Sequence, residues 1–228
     1  PELLDNLAWS MLDGKWDLKA FVKDLLLSRT YRQATLPDEG FGSLQVARRL
    51  PAEFVRDNTL AVSGLLVREI GGPSVKPFQP AGYYRHLNFP RRSYKEDPGD
   101  AQWRRGLYVH WQRQFLHPMM KAFDAPSREE CTTQRPQSNT PLAALVLLND
   151  PTFLKAAKAF ADKIASKGGD SFEDRLSYAF EQALSRSPDA FERNTLAALI
   201  EDRNSESPEN WMPVARAVLN LAETHLRR

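Results

Sequence analysis

The densest run of chemically capable side chains lies between Asp124 and Asn139. One segment there offers a carboxylate (Asp124), two guanidiniums (Arg128, Arg135), a thiol (Cys131), two hydroxyls (Thr132, Thr133) and an amide (Asn139). Arginine forks match carboxylate, phosphate or sulfate groups bidentately. A thiol beside arginine can ionise readily and act as a nucleophile or redox sensor. An aspartate there can serve as acid or base. A structural reading competes with these. The groups can pair with one another, and Asn139 or Thr140 can cap the helix that Pro141 opens. A lone cysteine is also commonly a small buried hydrophobe.

Two further places draw attention. The loop Gly71–Gly82 has glycines and prolines but neither the Gly-x-Gly-x-x-Gly nor the Gly-Lys-Ser/Thr pattern, so it is no nucleotide cradle. Lys76 and Gln79 are its candidate ligand contacts. Arg104, Arg105 and Arg113 flank Trp103, Tyr108 and Trp111, with Arg105 the candidate ligand contact, and such interleaving can stack sugar rings or bases. The competing reading is an aromatic core with a basic rim.

Metal and cofactor chemistry find little footing. His86, His110, His117 and His225 form no His-x-x-x-His pair, and no calcium-loop pattern occurs, so no metal site is expected. One cysteine admits no internal disulfide and no Cys-x-x-Cys motif. No Gly-x-Ser-x-Gly elbow appears, and a glycosidase carboxylate pair cannot be picked from 29 acids.

The elements that must position these residues are helices. Leu3, Leu4, Leu7, Ala8 and Leu12 recur at helical spacing up to Asp13-Gly14, and Asp17 suits the N-cap of a second helix bearing Phe21, Val22 and Leu25. A polar loop follows over 34–43. Pro51 opens a third helix that stops at Gly71-Gly72-Pro73. Residues 71–100 are the least regular, and so long a loop is usually functional or a packed excursion. Residues 106–115 alternate in part and are the best strand candidate, so the fold holds at most a small β element there. Pro141 opens an apolar helix whose Leu142–Leu148 run predicts burial. Asp150-Pro151, Ser171 with Asp174, Ser187-Pro188 and Ser207-Pro208 punctuate the rest into helices. The fold class is mainly α, with the C-terminal helices packed on the N-terminal ones. Residues 1–228 read as one helical domain, divisible into a loop-rich half (1–140) and a helical half (141–228).

The 31 basic and 29 acidic residues, 42% hydrophobic content and 26% charge suit an ordinary globular domain. That balance does not demand a nucleic-acid partner. No apolar run approaches the roughly 20 residues needed to cross a bilayer. The first residues, Pro1-Glu2-Leu3-Leu4, show neither initiator Met nor signal-peptide pattern and start directly in a helix, which points to a start inside a longer polypeptide.

Seven strings together carry a resemblance. They are WDLK (16–19), SRTYRQ (28–33), RDNTLAVSGLL (56–66), GGPSVKPFQP (71–80), WRRGLYVHW (103–111), FDAPSREEC (123–131) and NTPLAALVLLNDP (139–151). In order and spacing they resemble the C-terminal domain of unknown function in the large planctomycete cytochrome-c-associated exported proteins. Ala143 stands where that family commonly has Gln, and Gln134 where it commonly has Arg. The resemblance implies a periplasmic or cell-surface setting and neighbouring domains in the same polypeptide, one of them holding haem c, with no cofactor in this chain. A link to polysaccharide use is also implied, but no catalytic residue. Three functional expectations follow. The first is a module that binds an anionic or glycan ligand, or a neighbouring domain, through the Arg-containing loop. The second is an enzyme using Asp124 as acid or base with Arg128 and Arg135 as clamps, polysaccharide being the substrate class that the resemblance suggests. The third is a purely structural domain.

Overall fold

The computed structural model describes residues 1–32, 48–85, 93–112, 115–200 and 207–227. Arg113, His86 and the predicted 34–43 loop lie outside the described residues. The chain divides into two compact units, residues 1–48 and 49–227.

The first unit is a helical hairpin, α1 (Glu2–Asp13) and α2 (Leu18–Leu27). Asp17 caps α2 as its sequence position predicts, its carboxylate accepting the Ala20 N–H at 3.0 Å. The reversal between the helices is tight because Lys15 and Trp16 both take left-handed backbone, φ 51° and 63°. Neither helix buries a residue.

The second unit is built on two helices that cross both of its cores, α3 (Ala52–Ser63) and α6 (Pro151–Lys167). Around them lie α4 (Pro118–Ala122), α5 (Pro141–Asn149), α7 (Phe172–Leu184), α8 (Ala190–Ala197), α9 (Pro208–Leu219) and α10 (Ala222–His225). The larger core sets Phe160 and Ile164 of α6 against Leu176 and Phe180 of α7 and Trp211, Val214 and Val218 of α9. Small residues on α6 (Ala156, Ala157, Ala161) and Ala215 on α9 are all buried, which suits the close approach of these two helices. The smaller core joins Ala52 and Val55 of α3 to Val109, Met119, Met120, Phe123, Ala143 and Phe153. The helix starts predicted at Ser171 and Asp150 are capped by those side chains. Asp189 forms a full capping box with Glu192, one residue beyond the predicted Ser187-Pro188 restart.

Three expectations change in the fold. Residues 106–108 form a 3-10 turn, and among the described residues of the 106–115 candidate β structure is limited to a bridge between Val75 and Val109. The cause is a 3-10 turn at Gly99–Trp103 followed at once by a second at Gly106–Tyr108, which leaves no extended run to pair. The described strands are two-residue pieces, β1 (Arg48–Arg49) and β2 (Leu226–Arg227), which pair with each other. The Leu142–Leu148 run is not a buried helix. Only Ala143 of α5 is buried, and Leu142 and Leu145 are more than half exposed. An apolar run with no polar face cannot indicate which side meets the core. The third helix ends at Ser63 and not at Gly71-Gly72-Pro73, because Gly64 takes left-handed backbone, φ 85°, and closes it there.

The described stretches 71–85 and 93–112, irregular in structure, are held by a buried cation. Arg56, fully buried in α3, donates to the carbonyls of Gln102 and Arg104 and lies 3.5 Å from Asp57. Asp57 accepts the Gly106 N–H at 2.6 Å. Glycine is required at 106 because a Cβ there would stand 2.9 Å from the Glu53 Cα. Arg104 repeats the device one layer out. Its guanidinium lies 4.1 Å above the Tyr108 ring and donates to the carbonyls of Gly71 and Pro73. The Gly71–Gly82 loop is thus a packed excursion in its first part, further pinned by Asp97 on the Lys76 N–H and by Tyr94 on the Pro77 carbonyl.

Two outcomes follow from these burials. Arg56→Ala removes a cation that serves two buried carbonyls and should cost roughly 3–5 kcal/mol, read as a lowered denaturant midpoint. Burial also pushes His117 and His225 down to about 4. Both are neutral in the fold and protonate more readily when unfolded, near the ordinary value of about 6.5. Their contribution to stability is therefore complete above about pH 6.5 and is lost as pH falls towards about 4. Denaturant midpoints at pH 7.5, 5.5 and 4.5 should fall in that order, and the double variant His117→Gln/His225→Gln should flatten the slope.

Candidate functional site

Asp124 sits just past α4 in left-handed backbone, φ 58°, a conformation that aspartate tolerates better than most residues. Its carboxylate is fully engaged. It accepts the Ser138 N–H at 2.7 Å and the Ser138 hydroxyl at 2.8 Å, and pairs with Arg49. Arg49 also donates to the carbonyls of Phe123 and Ser138. Asp124 and Arg49 therefore close the loop 125–137 at its two ends. Burial works to raise the Asp124 carboxyl, but the Ser138 and Arg49 bonds outweigh it and hold the group below the usual carboxylate range.

The other predicted groups of the loop are dispersed. Arg135 pairs with Glu53 of α3 at 2.8 Å. Thr140, rather than Asn139, caps α5, its hydroxyl accepting the Ala143 N–H at 3.3 Å, and Asn139 is exposed. Cys131 is exposed, contrary to its reading as a small buried hydrophobe. The contacts that hold the loop fall at Ser127, Arg128, Arg135 and its two ends, and Cys131 lies in the open stretch between them.

Arg128 differs from its neighbours. Its backbone is left-handed, φ 63°, and its guanidinium stacks 3.8 Å from the centroid of the Trp111 ring. The indole N–H donates to the Ser127 carbonyl at 3.2 Å, which anchors the loop to the ring. Trp111 packs against the smaller core, so Arg128 covers a ring that is already half-buried. Arg128 is exposed, and no hydrogen bond joins its guanidinium to the described residues. Stacking leaves the in-plane N–H edge of a guanidinium free to point outward.

The remaining candidates separate from this loop. Gln79 is 8% exposed, with its Oε1 unpartnered among the described residues, so it faces the interior and is not available to a surface ligand. Next to it, His117 Nε2 lies 2.7 Å from the Phe78 carbonyl, which fixes the proton on Nε2. Lys76 is half-buried and tied by its backbone to Asp97. Arg105 is half-buried and lies close enough to Asp57 to help lower that carboxyl, which burial raises overall. Of the predicted aromatic and basic interleaving, Arg104 on Tyr108 is buried structure, and Trp111 shares its face with Arg128. Among the described residues, no three His, Cys, Asp or Glu side chains converge as metal ligands would. None of the described helices is long and apolar enough to cross a membrane.

Sequence reasoning missed Arg49, Ser138 and Glu53, the partners that decide the roles of Asp124 and Arg135. Arg49 and Asp124 are 75 residues apart, and no local pattern links them.

The engaged state of Asp124 has a direct test. Asp124→Ala leaves Arg49 without its carboxylate and the Ser138 N–H without its acceptor, and should cost about 2–4 kcal/mol. Asn139→Ala should change stability by less than about 0.5 kcal/mol. Denaturant unfolding of the two variants reads the contrast. No curated protein and no solved structure matches this sequence. The model of the family PSD1, described as a protein of unknown function (DUF1553), matches residues 1–200. The chain belongs to that family.

Proposed function

We propose that this chain is a recognition module, and that the Asp124–Asn139 loop presents Arg128 to an anionic group on a ligand or on a neighbouring domain. The observation that carries this reading is the exposed Arg128 guanidinium held 3.8 Å over Trp111 with no acceptor among the described residues. A guanidinium fixed by stacking has already lost much of its rotamer freedom, so binding need not order it. Its N–H edge suits a carboxylate, sulfate or phosphate. Acidic or sulfated glycans fit that chemistry and accord with the polysaccharide link that the resemblance implies. The same resemblance suggests an exported setting beside a haem-bearing domain, and the Arg128 surface suits contact with acidic groups on such a neighbour.

An enzymatic role for Asp124 has less support. A carboxylate closed off by Arg49 and Ser138 and held below its usual range is a poor base and, near neutral pH, no acid. Arg135 is occupied by Glu53 and is not placed beside Asp124 as a clamp.

Calorimetry with sulfated and uronate oligosaccharides and with inorganic phosphate tests the proposal, with Arg128→Ala and Arg128→Lys alongside. A ligand at about 100 times its Kd should stabilise the wild-type chain by roughly 2.7 kcal/mol. Arg128→Ala should abolish that gain. Arg128→Lys should recover only part, because an ammonium neither forks nor stacks flat on Trp111. Equal affinity in all three proteins would sink the assignment to Arg128, as would no binding by the wild type.

A further inference from the structure

The clamp at the base of the Asp124–Asn139 loop is reached from the far end of the chain. Arg49 closes that base on Asp124 and on the carbonyls of Phe123 and Ser138, and it lies two residues before Pro51, the N-cap of α3. The hydrogen bonds of a helix begin at its cap and do not reach back to Arg49. The residue between them is held elsewhere. The Leu50 N–H donates to the His225 carbonyl at 2.8 Å, and the Leu50 side chain packs against the smaller core. His225 ends α10, a helix of four residues. So short a helix takes its place from its neighbours rather than from its own bonds. Three contacts supply that place. The Asn58 amide of α3 donates to the Thr224 carbonyl at 2.9 Å. The buried Thr224 hydroxyl turns back onto the Leu219 and Leu221 carbonyls, at 3.0 and 2.7 Å. Glu223 pairs at 2.6 Å with Arg186, which Glu192 of α8 holds in turn at 2.7 Å.

We infer that α10 is a positioning element of the Arg128 loop, acting through Leu50 on Arg49. The inference rests on the recognition role proposed for that loop and adds the part of the chain that keeps it in shape. Guanidinium bonds are directional, and those of Arg49 reach both ends of the loop, Phe123 and Asp124 on one side and Ser138 on the other. A hydrogen bond stretched past about 3.5 Å is lost, so a small shift of Arg49 loosens both ends together. The Trp111 seat would then hold Arg128 without a fixed base beneath it, and a ligand would have to order the loop as it binds. The match to the PSD1 family model ends at residue 200, so α10 is not among the residues by which the family is matched.

Cys131 is the one cysteine of the chain and is exposed within the loop, so a nitroxide on it reports loop order in the full chain without any ligand. Leu50→Pro removes the N–H that the His225 carbonyl accepts, whereas Leu50→Ala removes much of the same packing and keeps that N–H. The expected result is a label freed in Leu50→Pro nearly as far as in Arg49→Gln, and held in Leu50→Ala close to the wild type. Asn58→Ala with Glu223→Ala, which touch neither Leu50 nor the loop, should free it in part. With inorganic phosphate as the probe, Leu50→Pro should bind about fivefold more weakly or worse, the effect of losing one bond that keeps the competent state populated. Equal label mobility in Leu50→Pro and Leu50→Ala overturns the inference, and so does a label that Arg49→Gln leaves unchanged. Should Leu50→Pro lose its helical circular dichroism, the Asn58/Glu223 double variant decides, and a label indistinguishable from the wild type there overturns the link to α10. No phosphate binding by the wild type, with the mobility pattern as expected, would sink the Arg128 assignment and uphold the link from α10 to the loop.

Discussion

A guanidinium buried in helix α3 sets the terms for the whole region that carries the candidate loop. Arg56 has no access to water, and burial lowers it to about 10, still well above neutral pH. A charge so placed must be met by oriented oxygens, and it finds them in the carbonyls of Gln102 and Arg104, with Asp57 beside it. These contacts bind a stretch with almost no regular structure to a regular helix. Once Gln102 and Arg104 are fixed, Gly106 lies against Glu53, Arg104 reaches the Gly71-Gly72-Pro73 turn, and Val75 bridges Val109. The loop gains its order from α3, not from any ladder of its own.

That order is passed to the surface through Trp111. Val109 is buried in the smaller core and Trp111 packs against it, so the ring under Arg128 has a fixed seat. The base of the loop is fixed separately, by Asp124, Arg49 and Ser138. Between these anchors Cys131 stands in solvent, and Asn139, just past the base, is exposed as well. The division of labour is physical. A carboxylate that accepts two bonds from Ser138 and pairs with Arg49 is committed to structure, whereas a stacked, exposed guanidinium keeps its donors for something else.

The two units show opposite uses of apolar residues. In α6 and α9 they are fully buried around Phe160 and Trp211. In α1 and α2 the same helical periodicity leaves every apolar side chain at least partly in water. Periodicity reports that a helix has an apolar face, and it is silent on whether that face is met within the chain or by a second molecule.

The sequence by itself determined the helices, because their signals are local. Asp17, Thr140, Asp150 and Ser171 cap where capping chemistry places them, and the prolines at 141, 151 and 208 open helices. Seven short strings were enough to indicate the family. Tertiary structure alone decided the site. It bound Asp124 to Arg49 and Arg135 to Glu53 across 75 and 82 residues, turned Gln79 inward, left Cys131 in solvent and brought Arg128 onto Trp111. It also turned the apolar α5 outward and replaced the expected strand at 106–115 with a 3-10 turn. A cap is settled by residues within one turn of each other, but an ion pair or a buried face depends on which distant segment arrives, and that is fixed only when the cores close around α3 and α6.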